Sequence, residues 1–122
     1  MKTVVEPQLQ DAALATWRGA QAKIWMFHVT HNKLALILFR RDEPEVLYIV
    51  ANGCEHMVGP FAWRQANITI TETLREADDT KCHILDEAVG FNLCCSSATL
   101  VRAPATDFDT TFEGFLGDTT ID

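Results

Sequence analysis

Apolar residues fill both arms of the segment from Ile24 to Phe39, which reads Ile-Trp-Met-Phe-His-Val-Thr, breaks at His31-Asn32-Lys33 and resumes as Leu-Ala-Leu-Ile-Leu-Phe. Aromatic and β-branched residues in the first arm and a turn-forming Asn in the break predict a β-hairpin. With His31 and Asn32 as its loop, Thr30 stands opposite Lys33, His28 opposite Ala35, Met26 opposite Ile37 and Ile24 opposite Phe39. Because strand side chains alternate, these residues share one face, and Trp25, Phe27, Val29, Leu34, Leu36 and Leu38 share the other. The second face is expected to be dry core, most simply beneath a helix.

That helix is predicted before the hairpin, over about residues 7 to 20. Pro7 opens it where a missing amide costs nothing, Leu9, Ala13, Trp17 and Ala20 recur at helical spacing, and Gly19 marks its end. After the hairpin, Arg40 to Pro44 reads as a charged turn and Val46 to Ala51 as a third strand. Asn52-Gly53 predicts a tight turn, so Cys54 to Val58 is expected to return antiparallel, with Cys54 opposite Ala51 and His56 opposite Ile49. Gly59-Pro60 ends that strand. Asn67 to Thr73 alternates isoleucine with threonine, as a half-solvated strand does. Residues 74–80 form a polar turn, and Lys81 to Asp86 and Phe91 to Arg102 make a last pair of strands around residues 87–90.

Both hairpin faces are too apolar to be left in water. Exposing about five large side chains would forfeit on the order of 10 kcal/mol, comparable to the whole stability of a small domain. One face is expected under the helix. The other calls for a sheet that curls on itself, a tail that folds back, or a second subunit. The predicted fold is therefore α+β: an N-terminal helix packed on a strongly curved antiparallel sheet of about six strands. Its element order resembles, in outline, the cystatin-like and nuclear-transport-factor-like cones or rolls, a likeness that implies a fold and no activity. A closed meander β-barrel with a helix is the alternative.

Charge divides the 122 residues into a body and a tail. Residues 1–102, the expected single domain, hold all ten basic residues against twelve acidic ones; residues 103–122 hold five acids and no base. Within that acidic C-terminal segment Phe108, Phe112, Phe115 and Leu116 follow a helical spacing interrupted by Gly114 and Gly117. Four large apolar side chains exceed what a solvated tail needs, so the segment is expected to dock on its own sheet or on a neighbouring subunit. The lack of a basic stripe argues against nucleic acid as a partner. No stretch has the length of an apolar membrane span and the N-terminus has no apolar leader, so a cytoplasmic location is expected, with Cys54, Cys82, Cys94 and Cys95 as reduced thiols.

Candidate chemistry is sparse. Cys54 and His56 are two apart on a predicted strand and point the same way, but zinc needs further ligands, and Cys82-His83 and Cys94-Cys95 are adjacent pairs that each offer one group per face. These residues are expected to be core or rim residues, with no metal. The six glycines form no phosphate loop or dinucleotide fingerprint, so no cofactor is expected. His28, between Phe27 and Val29, is the one conspicuous polar residue in an apolar arm. With Thr30 and Lys33 it makes a polar end to the face whose apolar floor is Met26 and Ile37, which is how small-molecule pockets are commonly lined. These five residues are the candidate ligand site, and no catalytic residue is assigned; Asp86 and Glu87 are the acids that such a pocket would recruit. The expected role is a non-enzymatic association or binding module, acting as a homodimer or on a partner through its apolar sheet face and acidic tail. The alternative is a binder of a small apolar ligand, or a cofactor-free enzyme, with its pocket near His28.

Overall fold

The computed structural model describes residues 3–74 and 80–104. The apolar hairpin forms as strands β2 (Gln21–His28) and β3 (Lys33–Phe39), and β4 (Glu45–Asn52) pairs with β3 on the far side. Strands β3 and β4 are buried along nearly their whole length, the signature of strands covered on both faces. Short strands β1 (Thr3–Val4) and β6 (Ala62–Trp63) and the long β10 (Ser97–Pro104) complete an antiparallel sheet in the order β1-β10-β4-β3-β2-β6. Strands β5 (His56–Val58), β7 (Thr69–Leu74), β8 (Thr80–Asp86) and β9 (Phe91–Cys95) form a second sheet in the order β5-β9-β8-β7. The fold is α+β with antiparallel sheets, and neither sheet closes into a barrel. Among the described residues, no helix is long and apolar enough to cross a membrane.

The core lies between the sheets. Leu34, Leu36, Leu38, Leu47, Ile49 and Leu100 from the larger sheet meet Ile84, Phe91 and Leu93 from the smaller one. Leu14 and Trp17 join the same cluster from the helix. The inner hairpin face is thus covered chiefly by a second sheet, not by the helix alone. The helix is also shorter than its apolar spacing suggested: a 3-10 turn at Pro7–Leu9 leads into α1 (Gln10–Thr16). Thr16 turns its hydroxyl back to the Ala12 carbonyl at 3.0 Å, and the backbone then reverses through Gly19 at φ 86°. Arg40 fastens this end, donating to the carbonyls of Thr16 at 2.9 Å and Arg18 at 2.8 Å while its guanidinium lies 5.1 Å from the Trp17 ring centre.

Two expectations about register fail, each for a local reason. In the hairpin, His28 pairs with Lys33 rather than with Ala35, the loop is residues 29–32, and Asn32 takes a left-handed φ of 50°. A bulge between Ile24 and Met26 absorbs one residue, so Ile24 faces inward opposite Leu36, Met26 faces outward opposite Ala35 and Phe27 faces inward opposite Leu34. Trp25, expected in the inner core, therefore packs on the outer face with Met26 and Phe39. At Asn52-Gly53 the chain turns but makes no hairpin. Strand β4 pairs with β10 while β5 pairs with β9 in the other sheet. The Cys54 amide is taken by the Asn32 carbonyl at 2.8 Å and the Ser96 amide by the Asn52 carbonyl at 2.8 Å. The predicted strand from Phe91 to Arg102 likewise divides at Ser96, its first part in the small sheet and its second in the large. Both crossings occur together, where Gly53 lies against the Ser96 side chain. The acidic segment beyond Pro104 lies outside the described residues, as do residues 75–79 of the expected polar turn.

Candidate functional site

Beside the two crossings, at the hairpin-loop end, a cleft of about 330 Å³ lies between the sheets. Ile24, Phe27 and Leu34 line it from the large sheet, His56, Met57 and Leu93 from the small one, and Cys54 and Glu55 from the crossing chain. Phe61 closes the remaining side. Each wall is held by backbone hydrogen bonds. The Ile24 amide donates to the Phe61 carbonyl at 2.8 Å, and the Glu55 amide donates to the Cys94 carbonyl at 2.9 Å. Phe27 faces this cleft by simple alternation from His28, and the bulge at Trp25 brings Ile24 to it as well, by moving the next inward position one residue earlier, from Trp25 to Ile24.

The lip of the cleft is apolar and exposed. Phe27 is 52% exposed and Phe61 75% exposed. Scattered exposed apolar residues are ordinary, but two phenylalanines flanking one concavity form a contiguous surface. The polar groups at the cleft are quiet by comparison. Glu55 is ion-paired to Lys81, and its other oxygen lies 4.0 Å from the Cys94 sulfur. Burial pushes the Cys54 thiol up to about 11, and its hydrogen points to the Ala51 carbonyl at 3.6 Å. At neutral pH that sulfur is a thiol, not a nucleophilic thiolate. Cys95 stands opposite Cys82 across β8 and β9, both buried, and hydrogen bonding to Cys82 together with burial holds Cys95 well above the usual thiol range. Among the described residues, no three His, Cys, Asp or Glu side chains converge as a metal-holding group. The lining of the cleft is thus chiefly apolar.

No family model, curated protein or solved structure matches the chain.

The residues singled out from sequence sit on the other side of the large sheet. Met26 faces outward opposite Ala35, His28 opposite Lys33, and Ile37 opposite Lys23 and Tyr48, so these residues do share the face expected of them. Thr30 is in the exposed hairpin loop. The His28 ring stacks on His31 with centres 4.8 Å apart, and its Nδ1 accepts the His31 amide at 3.3 Å. None of the five residues lines the inter-sheet cleft. Asp86 is not near His28 either: it is 1% exposed in the small sheet, where its Oδ2 accepts from the Trp63 indole at 2.8 Å and from the Asn67 amide at 2.8 Å. It serves as a polar tie between the sheets. Glu87 begins an exposed 3-10 turn at Glu87–Val89. Sequence reasoning missed Phe27, Met57, Phe61 and Leu93 as site residues. For Phe61 a signal existed, an aromatic side chain immediately after the Gly59-Pro60 stop, where neither strand pattern nor helix pattern calls for one.

Proposed function

We propose that this protein is a non-enzymatic binding module whose contact site is the apolar cleft between its two sheets. The ligand class is an apolar group: a small apolar molecule, or the apolar side chain of a partner. The observation that carries this reading is the pairing of a concave apolar floor with exposed Phe27 and Phe61 at its lip. A volume of about 330 Å³ is at the small end of ligand pockets, which suits one ring system or a short acyl chain. Covering the two phenylalanines recovers on the order of 1.5 to 3 kcal/mol each when burial is complete. The ion-paired Glu55 and the protonated Cys54 fit recognition better than turnover.

Association with a second copy is the form of this reading in which Phe27 and Phe61 of two chains cover one another. Titration of the full chain with the neutral fluorophore 1-aminoanthracene tests the proposal, alongside light scattering during size exclusion. Saturable fluorescence enhancement that Phe61→Ser weakens by roughly tenfold or more supports it. A probe response lost in His28→Ala and kept in Phe61→Ser would move the site to the outer face. A monomer with no saturable response would leave the proposal without support.

A further inference from the structure

The outer face of the large sheet presents a second apolar cluster, separate from the inter-sheet core. Ala35, Tyr48, Val50 and Val101 are 0% exposed there, Ile37, Val46 and Ala103 are almost as deeply buried, and Trp25, Met26 and Phe39 pack around them. Every described member of this cluster belongs to the large sheet itself. Neighbours within one sheet shield a side chain from the flanks but not from above, so full burial of a tyrosine on a sheet face requires a covering layer.

We infer that this layer is residues 105–122 of the same chain. Three observations select that occupant. The first is where the chain departs: β10 ends at Pro104 opposite Glu45, and Ala103, the last buried residue before it, is already part of the outer cluster. The second is reach. Crossing from β10 over β4 and β3 to β2 spans three strand spacings, roughly 14 Å, whereas eighteen residues extend to roughly 59 Å and reach roughly 27 Å even if fully helical. The third is complementarity. The segment carries Phe108, Phe112, Phe115 and Leu116 for the apolar surface, and five acids with no base. The surface offers cations in return: the Lys23 ammonium lies 5.3 Å from the ring centres of both Trp25 and Phe39, and Arg40, Arg41 and a single acid, Glu43, border the shallow outer-face groove that Trp25, Ile37 and Phe39 line. Lys33, beside His28, extends the positive edge toward the hairpin loop. The acidic segment is therefore an integral second cover for the sheet, and the surface left for partners is the inter-sheet cleft on the opposite side.

Isotope-filtered nuclear Overhauser spectroscopy on the full chain tests this directly, using a sample that mixes carbon-13-labelled and unlabelled chains. Contacts from the rings of Phe108, Phe112 or Phe115 to the methyl groups of Ile37, Val50 or Val101 are expected within a chain and not between chains. Contacts seen only between labelled and unlabelled chains would assign the cover to a second copy and overturn the inference. So would the lack of any contact from those rings to the outer face. As a second measurement, Phe112→Asp with Phe115→Asp is expected to shift the Trp25 indole resonance while those of Trp17 and Trp63 stay in place. Lys23→Glu with Arg41→Glu is expected to shift the same resonance, and an unmoved Trp25 in both variants would also overturn it.

Discussion

Replacing Asp86 with alanine removes a side chain that ties the small sheet to the edge of the large one through hydrogen bonds. Its Oδ2 accepts two donors at 2.8 Å, the buried Trp63 indole and the Asn67 amide, and the Trp63 ring is tilted on Phe91 with centres 4.7 Å apart. Each bond to a charged acceptor contributes roughly 1.5 to 3 kcal/mol, and the Trp63 N–H would be left buried without an acceptor. The Asn67 amide is at a more exposed residue and regains water, so its share lies at the lower end of that range. The expected cost of Asp86→Ala is therefore about 3 to 5 kcal/mol. Asp86→Asn keeps one carbonyl oxygen able to accept both bonds, which limits its cost to roughly 1 kcal/mol. Urea unfolding followed by tryptophan emission measures both. For a chain of this size the slope is about 1.5 kcal/mol per molar, which places the alanine midpoint roughly 2 to 3 M lower and the asparagine midpoint less than about 1 M lower. An alanine variant within about 1 kcal/mol of the native protein, or an asparagine variant as damaged as alanine, would refute the assignment of Asp86 as a hydrogen-bonded tie.

Two other expected outcomes concern the sheet crossing and its thiol. Gly53 has φ 63° and a Cβ there would collide with the Ser96 side chain, so Gly53→Ala is expected to cost roughly 2 kcal/mol or more in the same urea assay, with part of the loss restored by adding Ser96→Gly. Cys54, held up to about 11, is expected to react with iodoacetamide at pH 7.5 at least about 100-fold more slowly than a free thiol, and to speed up about tenfold per pH unit up to that value. Peptide mapping after timed labelling checks this, and Cys54 labelled ahead of the other cysteines would contradict it.

Much of the architecture was legible from hydrophobic patterning, and the misreadings are local. The Ile24–Phe39 hairpin, the strand after the charged turn and the demand for cover on both faces all follow from apolar content, which tertiary structure has little freedom to override. Where nearly every residue is apolar, alternation carries no phase. The bulge at Trp25 therefore left no trace in the pattern, yet it reverses the direction of every residue before it relative to His28. At Asn52-Gly53 the turn was visible but its partner was not, because the choice between β5 and β10 as the neighbour of β4 rests on long-range hydrogen bonds of Cys54 to Asn32 and of Ser96 to Asn52. The expectation of one curled sheet failed for the same reason: Ser96 interrupts a strand that by composition runs on unbroken. The cleft was illegible because its walls come from five separate stretches, and Phe27 and Phe61 adjoin it only after the crossings have formed. His28 drew attention as a polar residue among apolar ones, but its place beside the hairpin loop satisfies it locally through His31.

The apolar cleft is the central claim, and chemical-shift mapping tests it most directly. Nitrogen-15 and methyl spectra of the full chain are recorded while 1-aminoanthracene is added to saturation. The expected result is a saturable set of shifts confined to Ile24, Phe27, Leu34, Met57, Phe61 and Leu93, with Trp25, His28 and Ile37 on the far face unmoved. Shifts centred on the outer face, or none that saturate, would contradict it.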